Sequence, residues 1–367
     1  MRNPLDPPIN ERCGPTQRVD TNHARRADTN QARTWIDGWP QLARSEIVDR
    51  THALGRVLAE TVAAPHDIPP FDQALIAGYA VRAAATVGAG SYTPLTQPLA
   101  HAVTRGQPMP DGADAVLPFE ATTSGPTGQI EATGTVAEGD GMEPRGQSLR
   151  AHTPALSYGR PLSPEALGLL AQFGHQTVRV LCHPWVRLED SANTPLLAPL
   201  IKRDGGIAAP AGTEPDLILI PGGACAQTEF ALELDGLALR PGGEAGLGRC
   251  QNVPVIRLPQ EPLACLTAYE LLAGRLLRRL GGRPCALPHP TCQVPLTRKI
   301  SSAIGWVEVV RVVLAGNGAE PLGSTEGGGL VSACRADGFV IIPPGREGFG
   351  SGEIVTVHLL HARDDDW

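Results

Sequence analysis

Aromatic side chains make up only 4% of this 367-residue chain, and positive charge and long apolar runs are scarce as well. With 31 Lys and Arg against 38 Asp and Glu, the formal charge is −7. That balance argues against nucleic acid or an anionic membrane as the main partner. No window reaches the roughly 18–20 unbroken apolar residues of a membrane span, and the first residues hold no apolar core of the signal-peptide kind. The expected location is the cytoplasm. Eight cysteines are scattered without a C-x-x-C pair or a histidine at zinc-finger spacing, so no metal site is assigned. Buried reduced thiols are expected. Cys225 in "PGGACAQ" is the one cysteine placed on a turn with functional promise.

Abundance lies elsewhere, in 42 Gly and 35 Pro, which favour turns and short strands over long helices. The length suffices for two or more domains with real cores. Residues 1–33 are polar, carry the near-repeat "RVDTNHA" and "RADTNQA", and read as a disordered arm. Residues 34–66 with 140–183 read as a linking and dimerisation domain; "HALGRVLAETVAAPHDIPP" predicts a short helix broken at Pro65. Within it "SPEALGLLAQFG" predicts a helix capped by Ser163 and stopped at Gly174, followed by a strand pair in "QTVRVLCHPWVRLE".

Residues 67–139 alternate short β-like runs with Gly/Pro turns and read as a β-rich insert. Residues 184–286 change to α/β. "TPLLAPLIKRDGG" and "CLTAYELLAGRLLRRLGG" predict helices, and "DLILIPGG" predicts an apolar strand ending in a Gly turn that presents N–H groups to an anion. Arg275, Arg278 and Arg279 fall toward the end of the second helix, where they complement its dipole. Residues 287–362 return to β, and Arg311 in "VEVVRVVL" reads as an Arg on the wet face of a strand.

The motifs "IPPFDQALIAGYAV", "GQPMPDGADAVLPFEAT", "RGQSL", "LSPEALGLLAQFG", "DLILIPGGA", "LRPGGEAGLG", "LPQEPLACLTAYELL" and "GWVEVVRVVL" with "GGGLVSACRADGFVIIPPGREGFG" follow one another in order. Together they resemble the molybdopterin molybdenumtransferase family, the MoeA and gephyrin E-domain group, over about residues 45–361. The resemblance implies a mixed α/β and β, multi-domain, elongated subunit. Its parts would be a three-layer molybdopterin-binding-like α/β domain, a β-rich insert and a C-terminal β-barrel-like domain. It also implies a dimer and insertion of molybdate into adenylylated molybdopterin, with magnesium and release of AMP.

Position by position, the resemblance keeps backbone-shaping residues and loses acids. Pro69, Pro70, Gly78, Gly112, Gly222, Gly223, Pro259 and Pro262 match the family pattern. The acid expected before Gly-Tyr-Ala is Ala77, and of an Asp-Asn-Ser run only Asp72 keeps its charge, followed by Gln73 and Ala74. A Thr-Gly-Ala-Pro turn reads Arg105 to Pro108, and Arg-Gly-Glu-Asp reads Arg145, Gly146, Gln147 and Ser148. Lys-Pro-Gly-Lys-Pro reads Arg240, Pro241, Gly242, Gly243 and Glu244, Pro-Gly-Asn-Pro reads Pro259 to Pro262, and Gly-Ser-Gly reads Gly327 to Gly329. An acidic loop after "WVRL" and a helix before "DLIL" are missing.

Three functional readings follow. One is a non-catalytic or weakly catalytic protein that binds molybdopterin or its adenylate through Arg105, Arg145, Gly222, Gly223, Arg240, Pro259 and Pro262. A second is an active transferase using magnesium, molybdate and displaced acids: Asp72 and Glu229 foremost, with Asp111, Asp114 and Glu120 as further candidates. The third is a scaffold. Expected partners are a second copy or an intact paralogue, and a molybdoenzyme.

Overall fold

The computed structural model describes residues 26–361 apart from 127, 223, 225–228, 317 and 324–328. Gly223, Cys225, Gly327 and Gly328 therefore lie outside the described residues, as does the expected arm up to residue 25. Residues 29–33, expected within that arm, instead begin a helix. A helix runs from Thr29 to Asp37, held by a capping box in which Asp28 accepts from its third turn residue and Gln31 accepts from Asp28. Its two buried residues, Ala32 and Ile36, sit one helical turn apart, which gives it a face to dock.

The chain divides into two compact units, one of residues 40–183 with 278–284 and the other of residues 1–39, 184–277 and 285–367. In the first, Ser45–Asp49 pairs antiparallel with Thr177–Leu181. The Ser163-capped helix Pro164–Gln172 closes a core of Leu58, Leu156, Leu162, Leu170 and Val180. The helix expected in "HALGRVLAET" is absent: only a 3-10 turn, Arg50–His52, forms. It is capped at Ala53, Gly55 follows at φ 71, and Val57 and Leu58 bridge instead to Pro161 and Val180. The expected strand pair also fails as a pair. Thr177–Leu181 joins Ser45–Asp49, whereas Trp185–Leu188 belongs to a sheet of the other unit.

The insert is built on small sheets. Gly78–Val81 lies between His101–Val103 and Ala115–Pro118, and Ile130–Ala132 lies between Leu95–Thr96 and Thr122–Ser124. Val81, Ala115, Leu117 and Ala132 are buried together.

The other unit carries two larger sheets. The first runs in the order Ile207–Ala208, Trp185–Leu188, Leu217–Pro221, Val253–Leu258, Gly246–Cys250, Ala231–Asp235, parallel through the first four strands and antiparallel after. Leu217–Pro221 is buried throughout, which its unbroken apolar run requires. Residues 209–216 return from Ala208 to Leu217 without a helix. The second sheet orders Leu239–Arg240, Val307–Ala315, Gly338–Ile342, Ile354–Leu359 and Thr291–Pro295. Gly318–Pro321 pairs with Val307–Ala315 and is bridged through Ala319 to Leu296, which bends the sheet into the expected barrel-like form. Arg311 corrects the expectation of a wet strand face. It is buried and stacks over the Phe339 ring at 5.0 Å, because its strand is covered on both sides.

Of the cysteines among the described residues, Cys265 is buried, Cys334 is exposed and the rest are half-buried, so burial is less general than expected. Burial, with the Glu261 charge adding, pushes the Cys265 thiol up to about 12. At pH 8, an aromatic disulfide reagent is expected to modify Cys334 readily and Cys265 only on unfolding, checked by mass spectrometry of the labelled peptides.

Candidate active cleft

In the α/β sheet three parallel strands end close together. The register sets Pro221 beside Leu258, so the turns at Gly222 and at Pro259–Gln260 emerge side by side. A Cβ on Gly222 would overlap the Gln260 backbone, so glycine is what allows this approach. The buried Asn193, just beyond the third strand, donates from Nδ2 to the Gln260 carbonyl at 3.0 Å. Open α/β sheets hold ligands at this carboxyl edge of their strands.

Beside these turns the two sheets of the unit meet. Leu239–Arg240 pairs parallel with the start of Val307–Ala315, which brings Arg240 next to Trp306. The Arg240 guanidinium lies 4.1 Å from the Trp306 ring centroid, and the Arg26 guanidinium lies 5.1 Å from the same centroid. They help line a cleft of about 390 Å³ with Gly243, Pro259 and Glu261. Pro262, expected in the site, is the first residue of a helix and does not line the cleft. Glu261 caps that helix, its Oε2 accepting from Ala264 N at 2.6 Å. Arg240 and Pro259 are thus brought together as expected. Arg26 and Trp306 were missed, Arg26 because it lies in a polar stretch without periodicity and Trp306 because its neighbours read as core strand.

The remaining candidates behave differently. Glu229 is exposed at the start of the segment leading to Ala231–Asp235. Asp72 accepts from the Arg145 N–H at 2.7 Å, and the Arg145 Nε donates to Asp67 at 2.6 Å. Asp67 also accepts from Ala151 N, and these contacts, the Ala151 bond foremost, hold its carboxyl below the usual range. Glu143 is held low by Ser148 and Gln73, the two residues that stand where the family carries Asp and Asn. Asp114 accepts from Ala83 N at 2.6 Å, a turn contact. Arg105, Asp111, Glu120 and Ala77 are exposed.

A magnesium ion asks for several oxygen ligands with room for water. Among the described residues no group of three or more His, Cys, Asp or Glu is arranged to hold a metal ion. Asp67, Asp72 and Glu143 are committed to backbone and side-chain donors. These residues do not fit a magnesium site.

A larger cavity of about 660 Å³ lies between the helix Thr194–Arg203 and the segment Gly206–Thr213. Its walls are mainly apolar, and it opens where the helix-free return of residues 209–216 leaves the sheet edge uncovered. Strand ends and guanidiniums converge at the smaller cleft, not at this one.

Two family models match: MoeA N-terminal region (domain I and II) over residues 22–174, and MoeA C-terminal region (domain IV) over residues 293–360. A molybdopterin biosynthesis protein of Methanocaldococcus jannaschii is 26% identical over 375 residues, covering 85% of this chain and 92% of its own. Molybdopterin molybdenumtransferase 2 of Mycobacterium tuberculosis is 28% identical, covering 73% of this chain and 82% of its own. The crystal structure of the molybdopterin biosynthesis moeA protein from Pyrococcus horikoshii OT3 superposes with a TM-score of 0.79 at 23% identity, covering 91% of this chain and 100% of that one. A second P. horikoshii moeA structure gives 0.70 at 26% identity, covering 92% and 100%. No helix among the described residues is long and apolar enough to cross a membrane. With both terminal regions matched and the fold shared along nearly the whole length, the chain belongs to the MoeA family.

Proposed function

We propose that this protein serves molybdenum cofactor biosynthesis by binding molybdopterin or its adenylate, with catalysis reduced or absent. The observation that carries this reading is the cleft itself. Two guanidiniums lie against one indole ring beside the strand-end turns, and among the described residues neither has an ion-pair partner. A flat heterocycle with a phosphate or oxyanion fits that chemistry, since Arg serves anions by charge and forked donors. The relatives named as molybdopterin proteins support the choice of ligand. Reduced catalysis rests on the engaged carboxylates around Asp72. In this reading Arg105 is exposed and available to an anion, and assembly is as a homodimer or with an intact paralogue.

The test is direct. Saturating molybdopterin is expected to raise the melting temperature, since ligand at 100 times Kd stabilises by about 2.7 kcal/mol. Arg240→Ala is expected to remove most of that rise without lowering the melting temperature of the free protein by more than a few degrees. No rise with the unaltered chain would sink the binding reading. With adenylylated molybdopterin, magnesium and molybdate, AMP release is expected near background; sustained turnover would establish the active transferase instead.

A further inference from the structure

The turn Arg240-Pro241-Gly242-Gly243 offers one cation of its own, yet two guanidiniums reach the cleft. The second comes from the segment before the helix Thr29–Asp37. That segment is pinned by a parallel bridge of Ala27 to Leu237, with Ala27 N donating to Gly236 O at 3.0 Å and Ala238 N donating to Ala27 O at 2.9 Å. The two bonds set the chain so that Arg26 lies across Gly243. A Cβ at 243 would overlap the Arg26 guanidinium, so glycine there is what admits it. Gly243 itself has no positive φ, unlike Gly242 at φ 122, so the backbone does not require glycine at 243.

The carboxylates near Arg26 are engaged elsewhere. Asp28 caps its helix, Glu233 is bound by Arg249 and by the Trp35 Nε1 donor, and Asp235 is bound by Arg257. Glu244 and Glu261 also line the cleft; Glu261 is the helix cap and Glu244 is exposed, and neither is paired with Arg26 or Arg240 among the described residues. Two like charges against one ring repel one another, and cation–π attraction at a half-buried indole offsets only part of that. An anion between them removes the repulsion.

We infer that Arg26 is the second cation of the cleft, supplied by the N-terminal segment in place of a side chain at position 243, and that the pair grips a tetrahedral oxyanion. This rests on the oxyanion-binding reading of the cleft, and it names a residue of this chain that the turn motif does not contain.

Titration of the full chain with molybdate and, separately, with sulfate or phosphate tests it by calorimetry. Arg26→Ala is expected to weaken molybdate binding about tenfold, the usual worth of one charge-assisted hydrogen bond. Gly243→Ala is expected to weaken it similarly by displacing the guanidinium. The double variant Arg26→Ala with Gly243→Lys is expected to recover most of the affinity. Equal weakening for sulfate and phosphate would show general oxyanion recognition; weakening confined to molybdate would show selectivity, and both support the role of Arg26. Arg26 is exposed, so loss of its side chain leaves the core intact, and an unchanged melting curve checks this. Molybdate binding that is indifferent to Arg26→Ala, or absent from the unaltered chain, overturns the inference. Arg26-dependent molybdate binding with no melting shift from molybdopterin would instead overturn the proposed function alone.

Discussion

Glu270→Ala is expected to lower stability by about 3 kcal/mol, read as a fall in the urea midpoint with an unchanged slope. Glu270 is buried on a π-helical turn, Tyr269–Ala273, inserted between the helices Pro262–Ala268 and Gly274–Leu280. It accepts a two-pronged pair of bonds from Arg203 at 2.7 and 2.9 Å and sits 3.2 Å from the His289 Nε2. Alanine removes the carboxylate and leaves Arg203 bound to Asp204 without this buried partner. Burial alone would raise the Glu270 pKa, but the bonds from His289 and Arg203 outweigh it and bring the value down to about 2. The sign follows. A carboxyl whose folded pKa is depressed adds stability above its unfolded value, about 4.3, and that stability is lost as pH falls toward about 2. The unaltered protein is therefore expected to lose stability steeply between these values, and Glu270→Gln to flatten that part of the profile.

Gly78→Ala is expected to destabilise the insert by about 3 kcal/mol, at the upper end for overpacking. Gly78 pairs with both Val103 and Pro118 in the central strand of its sheet. A Cβ there would overlap the Leu117 carbonyl, with Val116 Cγ1 at 3.0 Å on another side. Backbone cannot yield as a side-chain end can, so the strand must part from Ala115–Pro118. Hydrogen exchange is the measurement: the amides of Ala115, Val116 and Leu117 should lose protection while those of residues 217–220 keep theirs. Equal protection in both would show that the strand absorbs the methyl. The Gly of the Gly-Tyr-Ala step thus has a packing reason independent of the acid missing before it.

Local chemistry made some elements readable. Ser163 followed by Pro164 announced a helix start, and the unbroken run Leu217–Pro221 announced a buried strand. Tertiary contacts decided the others. "HALGRVLAET" has helical spacing, yet its Val57 and Leu58 bridge to distant strands, which local propensity cannot foresee. Arg311 looked solvated because charge usually is, but its strand is covered on both faces and Phe339 receives the guanidinium. Arg240 and Pro259, read from motifs in family order, line one cleft, whereas Pro262 is a helix start. Asp72 kept its charge in the sequence but spends it on the Arg145 amide, a use that no motif records. Arg26 could not be found this way, since its position depends on the bridge of Ala27 to Leu237, more than two hundred residues away.

That bridge makes segment docking and cleft occupancy one linked equilibrium. Among the described residues two main-chain bonds hold Ala27 against the Gly236–Ala238 turn, and a segment held by so few bonds is expected to open at lower free energy than the core. Whatever binds between Arg26 and Arg240 must also hold the segment down, and whatever pulls the segment away must loosen the ligand by the same factor. Slowed exchange of the Ala27 and Ala238 amides would then report filling of the cleft from residues that never touch its contents.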